Sequence, residues 1–127
     1  MKERLEAKQR TIVLTDATLA DNIDATPGNG RAWRILSGYG WHDEGAPLNC
    51  VYALDDLGAG GYRDLCPAAN VASGVFMPLY TNVHCQDALV LRGGQTLRFN
   101  AAGKTVGHNV VIVLFVDEVL GETAYVG

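Results

Sequence analysis

Between the Gly107-His108-Asn109 turn and the acidic pair Asp117-Glu118, the chain runs through seven consecutive apolar residues, Val110 to Val116, of which five are β-branched. Branching at Cβ restricts χ1 in a helix and packs well on a pleated surface, so this run predicts a strand buried on both faces at the centre of a sheet. It falls far short of the roughly 20 apolar residues that a membrane-crossing helix requires. A chain of 127 residues has room for one ordinary domain around such a strand.

The remaining sequence repeats the signal. Ala32 to Ser37 alternates, with Trp33 and Ile35 on one face and Arg34 on the other, and Leu48, Cys50, Tyr52 and Leu54 share a face of a further segment. Another strand is expected around Val75-Phe76-Met77, where Pro78 ends it or forces it to an edge. Ala88 to Leu91, the reversal Arg92-Gly93-Gly94-Gln95 and Thr96 to Asn100 predict a hairpin with Leu97 and Phe99 facing inward. Glycine- and proline-rich turns such as Thr26-Pro27-Gly28-Asn29-Gly30 and Asp55 to Gly61 separate these segments, and no 3.6-residue apolar stripe runs for three turns. The expected fold is all-β, an antiparallel β-sandwich or jelly roll over residues 25–127.

Residues 1–24 read differently. Lys2 to Arg10 is charged, carries only Leu5 and Ala7 as apolar residues, and is too short for a helix that stands alone. Lys2 to Arg10 is expected to fray or to become ordered against a neighbour, Ile12 to Leu14 followed by Ala17 to Ala20 reads as one short strand or a strand with a break, and residues 1–24 together are expected to form an extended N-terminal arm. Nothing in it resembles a signal peptide, which points to synthesis in a cytoplasm. The formal net charge is −4, and seven arginines are scattered among 14 acidic residues, so no basic stripe exists to bind nucleic acid.

Constellations that could carry chemistry are weak. His42-Asp43-Glu44 is the densest titratable cluster, but neighbours on an extended chain point to opposite faces, so it reads as a polar surface loop. Asp55, Asp56 and Asp64 lack the register of a calcium loop. His84 beside Cys85 has no third residue to orient it, and His108 reads as a turn residue. Cys50, Cys66 and Cys85 match no zinc spacing and read as reduced, buried thiols. The glycine loops lack the lysine and hydroxyl ending of a phosphate cradle. Trp33 reads as core, whereas Tyr39 and Trp41, two apart beside glycines, could form an exposed sugar platform. No catalytic residue, metal ligand or cofactor is expected.

The order of elements from Gly28-Asn29-Gly30-Arg31-Ala32-Trp33-Arg34-Ile35-Leu36-Ser37, through Tyr52-Ala53-Leu54-Asp55-Asp56, to Gly93-Gly94-Gln95-Thr96-Leu97-Arg98-Phe99 and Val113 to Glu118 resembles that of small β-sandwich virion structural proteins of tailed bacteriophages. The resemblance implies a non-enzymatic capsid decoration, or cement, protein, made in the host cytoplasm and carried on the virion. It implies a homo-oligomer, commonly a trimer, that binds the major capsid protein or another virion protein and neither nucleic acid nor membrane. On that reading the partner contacts fall on the arm and on the exposed aromatics, at Lys2, Arg4, Leu5, Arg10, Ile12, Leu14, Tyr39 and Trp41, and removal of residues 1–10 would leave the fold intact. The competing expectations are a carbohydrate-binding module of a phage fibre or tail and, behind it, a cupin-like small enzyme. A cupin would place two or more histidines with an acid along inward-facing strand positions, whereas His42, His84 and His108 each adjoin a polar turn.

Overall fold

A computed structural model describes residues 7–18, 21–28, 30–55, 61–79 and 89–120. They form strands β1 (Ala7–Asp16), β2 (Asn22–Ala25), β3 (Arg31–His42), β4 (Leu48–Asp55), β5 (Arg63–Asp64), β6 (Ala69–Val71), β7 (Met77–Pro78), β8 (Leu89–Arg92), β9 (Thr96–Ala102) and β10 (Val110–Leu120). In the first sheet β10 lies between β1 and β3, and the far side of β3 carries both β7 and β8. In the second, β9 lies between β2 and β4, and the far side of β4 carries β5 and β6. All pairings are antiparallel and the two sheets pack face to face, so the fold is the expected β-sandwich.

β10 is the buried central strand that its composition demands. Every residue from Val110 to Leu114 is at most 7% exposed, with Ile112 and Leu114 turned to the core and Val111 and Val113 to the outer face. On β3 the alternation is interrupted once. Phe115 pairs Ser37 and Val116 pairs Ile35, so Leu36 is an extra residue that opposes nothing. That bulge reverses the parity of β3. Trp33 and Ile35 face inward on one side of it, and Gly38, Gly40 and His42 face inward on the other.

Leu114 of β10 closes over Gly38, and the second sheet fills the space left by Gly40. Phe99 on β9 is fully buried, its ring 5.0 Å from that of Tyr52 on β4. A Cβ placed on Gly40 would lie 2.7–2.8 Å from Phe99 ring carbons, so the ring rests against bare backbone of the opposite sheet. Polar ties reinforce this approach. The Tyr52 hydroxyl donates to the Met77 carbonyl, and His42 Nε2 donates to the Val71 carbonyl at 2.7 Å while its Nδ1 accepts from the Glu44 amide at 3.1 Å. With Nε2 donating and Nδ1 accepting, both ring nitrogens of His42 are satisfied in the core.

Four expectations change. Arg92 to Gln95 does turn, with the Gln95 amide 3.0 Å from the Arg92 carbonyl and Gly94 at φ +90. However, β8 pairs β3 while β9 pairs β2 and β4, so the segment is an arch between sheets and not a hairpin. Two glycines let a chain reverse; whether the flanking strands pair depends on neighbours the local sequence does not name. Residues 7–16 and 22–24 are not an arm, because Ala7–Asp16 pairs residue for residue with β10 and Asn22–Ala25 pairs β9. Removal of residues 1–10 would therefore strip four ladder positions from the first sheet. Finally, His42 belongs to β3 and is 0% exposed, whereas Val75 and Phe76 stand exposed before a strand of only Met77–Pro78.

Gly40→Ala is expected to destabilise the fold by about 1–3 kcal/mol, because the methyl group must displace the Phe99 ring. Gly45→Ala, where an added Cβ meets nothing within 4 Å, should stay within about 0.5 kcal/mol of the parent. Urea unfolding of both variants checks the contrast.

Candidate functional site

The outer face of the first sheet is apolar where water should meet it. Register places side chains there in three rows across β1, β10 and β3: Thr11, Phe115 and Ser37; Val13, Val113 and Tyr39; Thr15, Val111 and Trp41. Val111 and Val113 are nearly covered by their neighbours and make a floor, while Val13 is 58% exposed at one side. On the other side Phe76, 56% exposed, stacks on Tyr39 with ring centroids 4.5 Å apart and planes at 22°. Trp41 lies 6.4 Å from Phe76, and Phe115 6.3 Å from Tyr39, both tilted. Together with Asn109, the residues of the three rows other than Ser37 line a groove of about 500 Å³, and Phe76 flanks it through its stack on Tyr39. A smaller hollow of about 340 Å³ adjoins it beside Gln9, Arg10 and Leu36.

The groove is lined by threonine hydroxyls, one amide and one phenol as its polar side chains, with no charged side chain and no nucleophile beside a base. It can therefore gain free energy by shedding water from hydrocarbon and aromatic surface, and offers few directional bonds. That is the chemistry of adhesion.

The charged groups sit at the two ends of β10. At its C-terminal end Glu118 is 6% exposed and faces the core side. Trp33 Nε1 and Arg10 each donate to its Oε2 at 2.8 Å, and Arg31 donates to Oε1 at 3.0 Å. Burial alone would raise its pKa; the Trp33 and Arg10 hydrogen bonds and the charges of Arg10 and Arg31 outweigh it and hold the carboxyl below its ordinary value. At the other end Asp43 accepts from the side chain and backbone of Asn109 at 2.9 and 2.6 Å, and Glu44 accepts from the amide and hydroxyl of Thr105, both at 2.9 Å. Both carboxyls are lowered, chiefly by those donors. His108 lies 3.4 Å from Asp43 and 3.9 Å from Glu44. Lys104, 5% exposed, donates to the Thr18 and His108 carbonyls and closes this end.

The sequence-expected partner residues are divided by the fold. Tyr39 and Trp41 come together on the groove, joined by Phe76, Phe115, Val13, Val111 and Val113, which sequence reasoning did not gather. Ile12 is buried and Leu14 packs partly buried against the core, so both are packing residues and neither is a surface for a partner. Arg10 is half exposed but engaged with Glu118. Lys2, Arg4 and Leu5 lie outside the described residues, as do Asp56, His84 and Cys85.

His42, Asp43 and Glu44 do not converge: the first is buried in the core, and the other two bond separate loop residues. Asp55 is buried and Asp64 exposed. Among the described residues no group of three or more His, Cys, Asp or Glu side chains is arranged to hold a metal ion. Burial pushes the Cys50 thiol up to about 11, which makes it a poor nucleophile at neutral pH. No family model matches the chain, and no curated protein sequence matches it.

Because the folded pKa of Glu118 is depressed, its stabilisation is complete above the unfolded carboxyl value and is lost as pH falls through the lower folded one. Stability should therefore drop as pH is taken below about 4.5, the ordinary glutamate value. Glu118→Gln should cost about 1–3 kcal/mol at neutral pH and show a shallower acid loss. Urea unfolding across a pH series measures both.

Proposed function

We propose that the protein is a non-enzymatic adhesion module, a virion structural protein of the capsid-decoration type, which docks by the outer face of its first sheet onto a neighbouring protein surface. The observation that carries this reading is the exposed apolar groove floored by Val111 and Val113 and walled by Val13, Tyr39 and Phe115, with exposed Phe76 stacked on Tyr39 beside it. A soluble domain gains nothing by leaving such a face open, and large apolar patches ringed by polar residues mark interaction sites. The capsid as partner comes from the sequence resemblance; the groove supports a protein partner in general.

A carbohydrate ligand is the second reading, favoured by four aromatic rings on one face. Sugar recognition needs a free aromatic plane, and here Tyr39 and Phe76 stack on one another at 4.5 Å. Rings locked together in that way make a firm apolar wall, which suits protein contact better.

Replacement of Tyr39 and Phe76 together by serine should weaken co-sedimentation with the assembled particle tenfold or more, the scale of a lost aromatic anchor, with little change in thermal unfolding. Unchanged co-sedimentation would count against the groove. Retention on polysaccharide that disappears with Trp41→Ala would favour the second reading instead.

A further inference from the structure

β1 is an unusually open edge. All ten of its residues pair β10 on one side, and among the described residues nothing pairs the other. The remaining margins of both sheets are strands of at most four residues. Short margins are a common defence against unwanted strand pairing. β1 is neither short, bulged nor interrupted by proline; its edge is guarded only by charges, Lys8, Arg10 and Asp16, which turn away any strand that does not match them.

We infer that β1 is a self-association edge, at which two copies of the chain pair β1 antiparallel about a twofold axis at Ile12 and join their first sheets into one. Two constraints, side-chain parity and the placement of Lys8 and Asp16, select this register. Side-chain direction alternates along a strand, so only registers that keep core-facing residues opposite core-facing residues are compatible with both sandwiches. That condition leaves a centre at Thr11 or at Ile12 for a strand spanning residues 7–16. Centring on Thr11 sets Arg10 against the partner's Ile12 and leaves Asp16 beyond the described pairing. Centring on Ile12 sets Lys8 against the partner's Asp16, twice by symmetry, with Ile12 against the partner's Ile12 and Arg10 against the partner's Leu14.

The charge pattern of the strand, basic at its start and acidic at its end, is therefore self-complementary in one register. Asp16 is held anionic by its hydrogen bonds from the Thr18 amide and hydroxyl at 3.0 and 2.8 Å. On the outer face the same register brings the methyl of Thr11 over the partner's exposed Val13, so the groove edges meet. The contact is isologous and closed, giving pairs and not fibres.

Light scattering after gel filtration should give twice the 13.6 kDa chain mass at high protein concentration, falling towards one chain on dilution and in high salt. Lys8→Asp and Asp16→Lys should each weaken pairing roughly tenfold, since each replaces two attractions by two repulsions. An equimolar mixture of the two variants should pair again, because each strand then meets the opposite charge at both ends. Lys8 is exposed but pairs Glu118 across the ladder, so circular dichroism and thermal unfolding verify the fold of both variants, and Asp16→Lys, away from Glu118, tests the pairing by itself if Lys8→Asp unfolds. A mass of one or three chains for the parent at every concentration, pairing unmoved by Lys8→Asp, or a mixture no better than its components overturns the inference.

Discussion

The contact between the Phe99 ring and the backbone at Gly40 sets the separation of the two sheets, and the rest of the core follows from it. Facing sheets pack about 10 Å apart when side chains from both interdigitate. Here one sheet supplies a full aromatic ring and the other supplies only backbone, so the ring reaches across and the strands on either side close around it. Ile35, Leu91, Ile112 and Leu114 from one sheet and Leu97, Ala101, Cys50 and Tyr52 from the other are then buried together. The Tyr52 and His42 hydrogen bonds cross the same gap, which satisfies polar groups that would be costly to bury unpaired.

β10 organises the charges as well as the core. Its middle is hydrocarbon, and its two ends are pinned by separate carboxylate clusters, Glu118 with Trp33, Arg10 and Arg31 at one and Asp43 and Glu44 with Asn109, Thr105 and His108 at the other. Each cluster joins segments distant in sequence. Glu118 ties the beginning of the chain to its last strand, which explains why residues 7–10 are part of the sandwich. The buried side chain of Lys104 does similar work, because its ammonium group holds two loop carbonyls that would otherwise be left facing the interior.

These devices tie Glu118, Asp43, Glu44 and Lys104 into structural contacts. The first sheet still presents an apolar groove on its outer face and, beside it, a strand edge. The two are adjacent, since Thr11, Val13 and Thr15 belong to both. A copy paired at the edge would extend the groove and not cover it, so self-association and docking to another protein are compatible uses of one sheet.

Much of this was legible in the residues themselves. The β-branched run Val110 to Val116, the alternation at Trp33 and Ile35, and the shared face of Cys50 and Tyr52 reflect local sterics and side-chain period, which any strand obeys wherever it sits in the fold. Those residues determined that the chain makes strands and which side of each is apolar. Pairing was decided only by tertiary structure, because a two-glycine turn between Leu91 and Leu97 reverses the chain equally well within a sheet or between sheets. The charged start of β1 looked like an arm, since its partner Glu118 lies 108 residues away. The groove was hidden for the same reason. Val13, Val113 and Tyr39 are neighbours through register alone, and register is set by the summed burial of the core faces, a property of the assembled sheets and not of any one stretch of sequence.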